Sequence, residues 1–313
     1  MLKRNDGQGP KISVVIITHN RKEILKECLA ALFSQTYPEN DYEIVVVDDG
    51  STDDTHSTVR SIAESSPVSI RYFRQENKGV AAARNHGIKR AESEICLLIG
   101  DDIVATPTLV EEHVNWHKRY GKENQGVLGY VTWSPEIEVT DFMWWLENGG
   151  PLLGYSRIMD KIQVDFRFFY TGNISLKTSY LKDNLFCEEF FFGYADTELG
   201  YRLSKRGFKL YFNQDAIAYH HHPTTFEDFQ KRMTKWGKTG RIFLAKYPEL
   251  KSTVRVYPAW FLKVCRCFAA LLYPLANVLG WSRMIYYHRY QIRLMTIYSR
   301  TFFESKRDAG LVG

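Results

Sequence analysis

Three stretches of this chain are apolar almost without interruption over the length of a strand. They are KISVVIIT (Lys11 to Thr18), EIVVV ahead of Asp48, and EICLLIG ahead of Asp101. A strand wet on one face alternates polar and apolar residues, whereas one that is apolar throughout has to be covered on both faces. Helical spacing fills the gaps between them. Ile24, Leu25, Cys28, Leu29 and Leu32 recur within Arg21 to Phe33, STDDT supplies cap-type residues for a second helix, and Gly79 to Ala91 reads as a small-residue helix. Ser69 to Phe73 alternates as a further strand. Strands that alternate with helices in this way imply a parallel sheet with helices on both faces. Ligands of such sheets sit beyond the carboxyl ends of the strands. Two aspartate pairs, Asp48-Asp49 and Asp101-Asp102, stand there.

The later half is less regular. The pattern predicts a helix from Pro107 to Tyr120, a strand from Val127 to Trp133 and a short Trp-rich helix from Asp141 to Leu146. It further predicts a strand from Phe168 to Leu176 and a helix from Asp196 to Arg206 closed by Gly207. Two short strands follow (Phe208 to Phe212 and Ala216 to His220), then a helix from Thr225 to Lys246 ended by Pro248.

At 313 residues the chain is long enough for one large domain with an elaborated tail. The whole carries +5, but from Lys251 onward ten Lys or Arg face two acidic residues, so everything before is net acidic. That asymmetry points to an anionic partner surface. Phe261 to Trp281 is apolar but interrupted by Arg266 and Pro274, and its unbroken part falls short of the ~20 residues a bilayer span needs. It fits an amphipathic helical pair lying on a membrane, or a tail packed on its own body or on a second copy in a homodimer. The five cysteines include no CxxC, and no apolar leader precedes Lys11. Both favour a reduced, cytoplasmic protein, peripheral on the inner membrane face. THNRKE stands where a dinucleotide enzyme needs GxGxxG, a P-loop is absent, and no nucleic-acid reader motif accompanies the basic tail.

Four motifs then follow in order: Thr18-His19-Asn20-Arg21 after the first strand, Asp48-Asp49-Gly50-Ser51-Thr52-Asp53, Asn77-Lys78-Gly79 running into Ala81-Ala82-Ala83-Arg84-Asn85, and Gly100-Asp101-Asp102. In these residues the chain resembles the family-2 glycosyltransferases of GT-A fold, and the resemblance extends to about Gly237. It implies an α/β architecture, a nucleotide-binding mixed sheet flanked by helices, with a C-terminal helical tail. The GT-A domain would run over 1–248, with its nucleotide-binding half at about 10–105 and its acceptor and catalytic half at about 106–248, followed by a basic tail at 249–313.

The resemblance also implies roles. Asp48 and Asp49 would read base and ribose, with Thr18, Asn20, Arg21, Asn77, Gly79 and Asp101 lining the nucleotide. Arg84 supplies a cation suited to phosphate oxygens. Asp102 would hold Mn²⁺ or Mg²⁺, cations that prefer oxygen ligands and bridge diphosphates. Here Gly100 replaces the acidic residue that opens the usual Asp-x-Asp.

Downstream, Phe192-Gly193-Tyr194-Ala195-Asp196-Thr197-Glu198 resembles the family's acidic helix start, with Ala195 in place of a glutamate. Asp196 would be the general base. Glu198 is either structural or acceptor-facing. His220 matches a cation-binding histidine, and His222 lies one alternation further along. Trp133, Trp144 and Trp145 offer aromatic faces to acceptor sugars, or belong to the core. The implied activity is inverting, metal-assisted transfer of a sugar from a UDP- or dTDP-type donor to a glycan or lipid-linked acceptor. A catalytically impaired nucleotide-sugar-binding relative is the alternative, since Gly100 and Ala195 both dilute acidic positions.

Overall fold

The computed structural model describes residues 11–279 and 282–309. Two compact units divide them. The first takes in the chain through Glu138, Tyr155–Phe191 and Ala195–His222; the second takes Val139–Gly154, Phe192–Tyr194 and the chain from Pro223 onward.

The first unit is built as the apolar runs require. Strands β1 (Ile12–Thr18) and β2 (Tyr42–Asp48) are separated by helix α1 (Lys22–Leu32). Next come α2 (Thr55–Ser65), β3 (Ser69–Arg74), α3 (Val80–Arg90) and β4 (Ile95–Gly100). The four strands lie parallel in the order β3-β2-β1-β4. Every residue of β2 is buried, as its apolar run Ile44 to Val47 requires, and the buried Glu43 is paired with Ser13 and Arg71. Parallel register aligns Thr18 with Asp48 and Ile17 with Gly100, so both aspartate pairs emerge at one edge. Helix α3 lies directly on this sheet. A side chain at Gly87 would bring its Cβ within 2.4 Å of Val15 Cγ1, so the last glycine of the NKGVAAARNHG stretch is a close-approach position.

The remaining strands make the sheet mixed. They are β5 (Ile103–Ala105), β6 (Gln125–Trp133), β7 (Gln163–Val164), β8 (Asn173–Lys177) and β9 (Lys209–His220). The order continues β4-β8-β6-β9-β5, β8 runs antiparallel to β4 and β6, and β7 pairs with β9. Helices α4 (Leu109–Tyr120), α6 (Thr178–Lys182) and α7 (Ala195–Ser204) complete this unit.

Two expectations change here. The strand expected from Phe168 begins only at Asn173, because Phe166–Phe168 form a short 3₁₀ turn capped by Asp165, whose side chain accepts from Arg167 N. The two short strands expected around Gln214 are one strand, β9. Its register slips between Gly129 and Tyr130, which pair with Asn213 and Ile217, so Gln214-Asp215-Ala216 form a bulge rather than a turn.

The second unit is helical: α5 (Asp141–Asn148), α8 (Phe226–Lys246), α9 (Ala259–Val278) and α10 (Ser282–Ala309). Its core is aromatic. Phe142 meets Phe226, Phe229 and Tyr290 edge-on at centroid distances of 5.3, 5.9 and 5.0 Å. Among the described residues no helix is long and apolar enough to cross a membrane.

Candidate active site

The carboxyl edge of β1, β2 and β4 gathers most of the residues singled out from the sequence. Asp101 and Asp102 form the turn between β4 and β5. Asp101 is buried; Thr18 donates to its Oδ2 at 2.9 Å and Arg21 Nη1 to its Oδ1 at 2.7 Å. Burial, reinforced by the neighbouring charge of Asp102, pushes the Asp101 carboxyl up to about 7, against the pull of Arg21 and Thr18. Arg21 also reaches Asp102, its Nη2 lying 3.1 Å from Oδ2. One guanidinium therefore bridges both carboxylates.

Strand β5 pairs antiparallel with β9, and Ile103 lies opposite His220. His220 Nε2 is thereby brought 3.6 Å from Asp102 Oδ2. The ring edge of Trp133 supports it, at a centroid distance of 5.0 Å. A carboxylate oxygen and an imidazole nitrogen at that spacing could both reach one divalent ion at roughly 2.1 Å. Among the described residues no cluster of three or more His, Cys, Asp or Glu accompanies them. His222 lies two residues beyond the end of β9 and is exposed, so the strand alternation expected to align it with His220 does not reach it.

Asp49 organises the loop that leads into α3. Its Oδ1 accepts from Lys78 N and Gln75 Nε2, and its Oδ2 from Gly79 N, all at 2.8 to 2.9 Å. Gly79 is the N-cap of α3 with φ +87°. Asn20 fixes the neighbouring loop, accepting from Thr52 N at 2.7 Å and Asp53 N at 3.3 Å. His19, embedded in the first motif but not singled out, joins the two loops. Its Nδ1 lies 2.9 Å from the Asp49 carbonyl, and Asn77 Nδ2 approaches the ring at 3.3 Å.

Asp48 departs from expectation. It is fully buried, accepting from Ser51 N at 2.7 Å and from Tyr72 Oη at 2.5 Å. A carboxylate sealed under its own turn presents no face to a base or ribose, so Asp48 shapes the loop that carries Asp49.

Arg84, one turn into α3, turns toward a different part of the chain. Its Nη1 donates to Asp196 Oδ1 at 2.8 Å, and its guanidinium packs over the Phe186 ring. Asp196, in the first turn of α7, accepts at Oδ2 from Thr171 Oγ1 at 2.8 Å and from Thr171 N at 3.2 Å. Its side chain remains 30% exposed, which leaves it open to an acceptor. Thr171 lies in an irregular loop far from Asp196 in sequence, and no pattern marks it.

Glu198 is fully buried and grips Arg202 at 3.1 and 3.2 Å, so of its two expected roles it takes the structural one. Trp133 is 5% exposed and acts as the support of His220 rather than as an open stacking face. Trp144 and Trp145 lie in the second unit. Trp145 is buried against Phe142 and Tyr290, whereas Trp144 is exposed and stacks on Tyr287. A cavity of about 240 Å³ beside Phe166, Phe169 and Phe208 lies at the other end of β9 from His220 and contains none of these groups.

The fold has counterparts among known proteins. The family model described as glycosyl transferase family 2 matches residues 13–185, more than half of the chain. The chain belongs to glycosyl transferase family 2.

Similarity to individual members of the family is distant. A dolichyl N-acetyl-alpha-D-glucosaminyl phosphate 3-beta-D-2,3-diacetamido-2,3-dideoxy-beta-D-glucuronosyltransferase of Methanococcus voltae is 23% identical over 248 residues, 75% of this chain and 74% of that protein. Validoxylamine A glucosyltransferase of Streptomyces hygroscopicus subsp. limoneus is 29% identical over 269 residues. The match takes in 77% of this chain but only 58% of that longer protein. Among solved structures, the mannosyltransferase PcManGT of Pyrobaculum calidifontis, in complex with GDP-Man and Mn²⁺, superposes with a TM-score of 0.60 at 18% identity. That superposition covers 98% of this chain and 77% of PcManGT. At such identity it is the GT-A glycosyltransferase fold that this family-2 chain shares.

Proposed function

We propose that the protein transfers a sugar from a nucleoside diphosphate donor, of UDP or dTDP type, to a hydroxyl of a glycan or lipid-linked acceptor, with inversion at the anomeric carbon. The observation that carries this reading is the Arg84–Asp196 contact, which ties the acidic start of α7 to the helix that Asp49 anchors. Asp49 and the Asn20 and Asn77 loops would hold the nucleoside, with Thr18, Arg21 and Asp101 beneath the diphosphate. Asp196, oriented by Arg84 and Thr171, would accept the proton of the acceptor hydroxyl as that oxygen bonds to the anomeric carbon from the face opposite the departing diphosphate. The bond from the anomeric carbon to the diphosphate oxygen breaks in the same step. Asp102 and His220 would hold a divalent cation, which when bound offsets negative charge on the diphosphate.

The Pyrobaculum mannosyltransferase is solved with a nucleoside diphosphate sugar, GDP-Man, and Mn²⁺, which supports a cation-bound donor of that class, and the Methanococcus relative is named for a lipid-phosphate-linked acceptor. Free thiols at all five cysteines support a reducing, cytoplasmic setting.

Thermal unfolding in the presence of a panel of nucleotide sugars, each with and without Mn²⁺, tests the donor assignment. A stabilisation that appears with one donor and depends on the cation is the expected result. Asp196→Asn tests the base: it should retain that stabilisation and lose transfer by about 10²- to 10⁴-fold, the usual contribution of a positioned base. Ala195, buried where the family pattern has an acid, favours a second reading as a nucleotide-sugar-binding relative without turnover. Donor binding with no transfer to any acceptor, and none to water, would establish that reading instead.

A further inference from the structure

Helix α9 presents an apolar face that the rest of its own unit leaves uncovered. Trp260, Val264, Phe268, Leu271, Leu272 and Val278 are all exposed, Leu271 to 75% and Val278 to 84%. At about 100° per residue these six side chains fall within an arc of roughly 120°. Leu262, on a different side of the helix, is buried. The uncovered arc is therefore a feature of one face, in a helix of 20 residues and about 30 Å.

Charge decides what such a face fits. Between Ala259 and Phe303 the sequence has six Lys or Arg and no Asp or Glu. Lys263 and Arg266 lie on α9 itself and are exposed, as are Arg283 and Arg289 on α10. A second copy of this chain docked face to face through α9 would set these cations against their own equivalents, with no acidic residue in the stretch to pair them. Nucleic acid would satisfy the charge but not the apolar arc. An anionic lipid surface satisfies both: acyl chains take the apolar side chains, and headgroups take the cations. No described helix is long and apolar enough to span the bilayer, so the contact is a helix lying in the interface plane.

We propose that α9 docks the protein on an anionic bilayer, with the arc from Trp260 to Val278 sunk to the acyl boundary and Lys263 and Arg266 at the headgroups. This rests on the second unit alone and is independent of the assignment of Asp196.

The test is co-sedimentation of the full chain with vesicles of phosphatidylcholine alone and with about a quarter phosphatidylglycerol. Binding to the anionic vesicles should be at least about tenfold tighter and should weaken as salt is raised. The double variant Phe268→Glu, Leu271→Glu alters two exposed positions, so its thermal unfolding should be unchanged while vesicle binding falls at least about tenfold. Lys263→Ser with Arg266→Ser should remove most of the preference for anionic lipid. Binding to neither vesicle, equal binding to both, or binding indifferent to these variants would overturn the proposal. So would a lipid-free dimer, seen by light scattering, that the glutamate variant splits.

Discussion

Arg84 and Asp196 are 112 residues apart in sequence, yet they share a 2.8 Å charge-assisted hydrogen bond. Under the proposed function Asp196 would act on the acceptor hydroxyl, and Arg84 would hold it in position. Arg84→Met should lower kcat by one to two orders of magnitude, an effect on the order of 1.4 to 3 kcal/mol, by freeing Asp196 to rotate about Thr171. In an Asp196→Asn background the same change should cost much less. A double-mutant cycle on kcat/KM measures the difference, and additive losses would show that the pair does not act as a unit.

Gly100 stands where the family pattern has its first acid, which on motif grounds makes it a defect. The geometry gives it a use. A Cβ at this position would lie 2.6 Å from Asp102 Oδ1, so the missing side chain is what lets Asp102 take its present rotamer beside Arg21 and His220. Gly100→Asp should therefore weaken divalent binding even though it adds a carboxylate, and Gly100→Ala should do so to a smaller degree. Titration of Mn²⁺ followed by thermal unfolding reads both, and tighter binding by Gly100→Asp would contradict the steric account.

What the sequence revealed follows from how locally each feature is encoded. The strands β1, β2 and β4 are legible because burial on both faces leaves few polar positions in them, and the aspartates at their ends inherit their placement from the sheet rule. Asp49 and Asp196 were recognisable because each sits in a motif whose spacing is local. In sequence, a carboxylate that shapes a turn and one that faces a ligand look alike, and the part Asp48 takes in its own turn is visible only in the hydrogen bonds from Tyr72 and Ser51. Thr171 was invisible because its role is fixed by the irregular loop before β8 meeting α7. The segment around Gln214 has turn chemistry, and only the pairing with β6 that resumes at Ile217 shows the strand to be continuous.

His113 and His117, four residues apart on α4, are buried and hydrogen-bonded to Ser175 and Asn173 of β8. Burial pushes His113 down to about 4 and His117 to about 3, so both remain neutral in the fold well below the point at which they protonate when unfolded. Between about pH 6.5 and pH 4 the unfolded chain takes up protons that the native protein refuses, and stability falls as pH falls. His113 alone should account for a loss on the order of 3 kcal/mol across that window. Urea unfolding of wild type and His113→Gln at pH 7.5 and pH 5 checks the sign: the variant's acid-induced loss should be the smaller of the two. Equal losses would mean that the pair is hydrated in the native protein.

Asp49 contributes to stability through the same bonds that place the donor loop. Its carboxylate accepts from two successive backbone N–H groups at the start of α3, where the helix dipole favours negative charge, and from the Gln75 side chain. Asp49→Asn keeps the size but replaces one acceptor oxygen with a donor that faces those N–H groups. A part-buried N–H group then loses its charged acceptor, at a cost of about 1 to 3 kcal/mol. Asp49→Asn should accordingly lower the urea midpoint without changing its slope, and also abolish donor-induced stabilisation, because the Asn77-to-Gly79 loop is no longer held. Asp48→Asn touches the buried turn through Tyr72 and Ser51 instead. It should lower the midpoint comparably while leaving donor stabilisation measurable at a temperature where the variant is folded. A loss of donor binding in Asp48→Asn equal to that in Asp49→Asn would mean that the two carboxylates contact the nucleotide together.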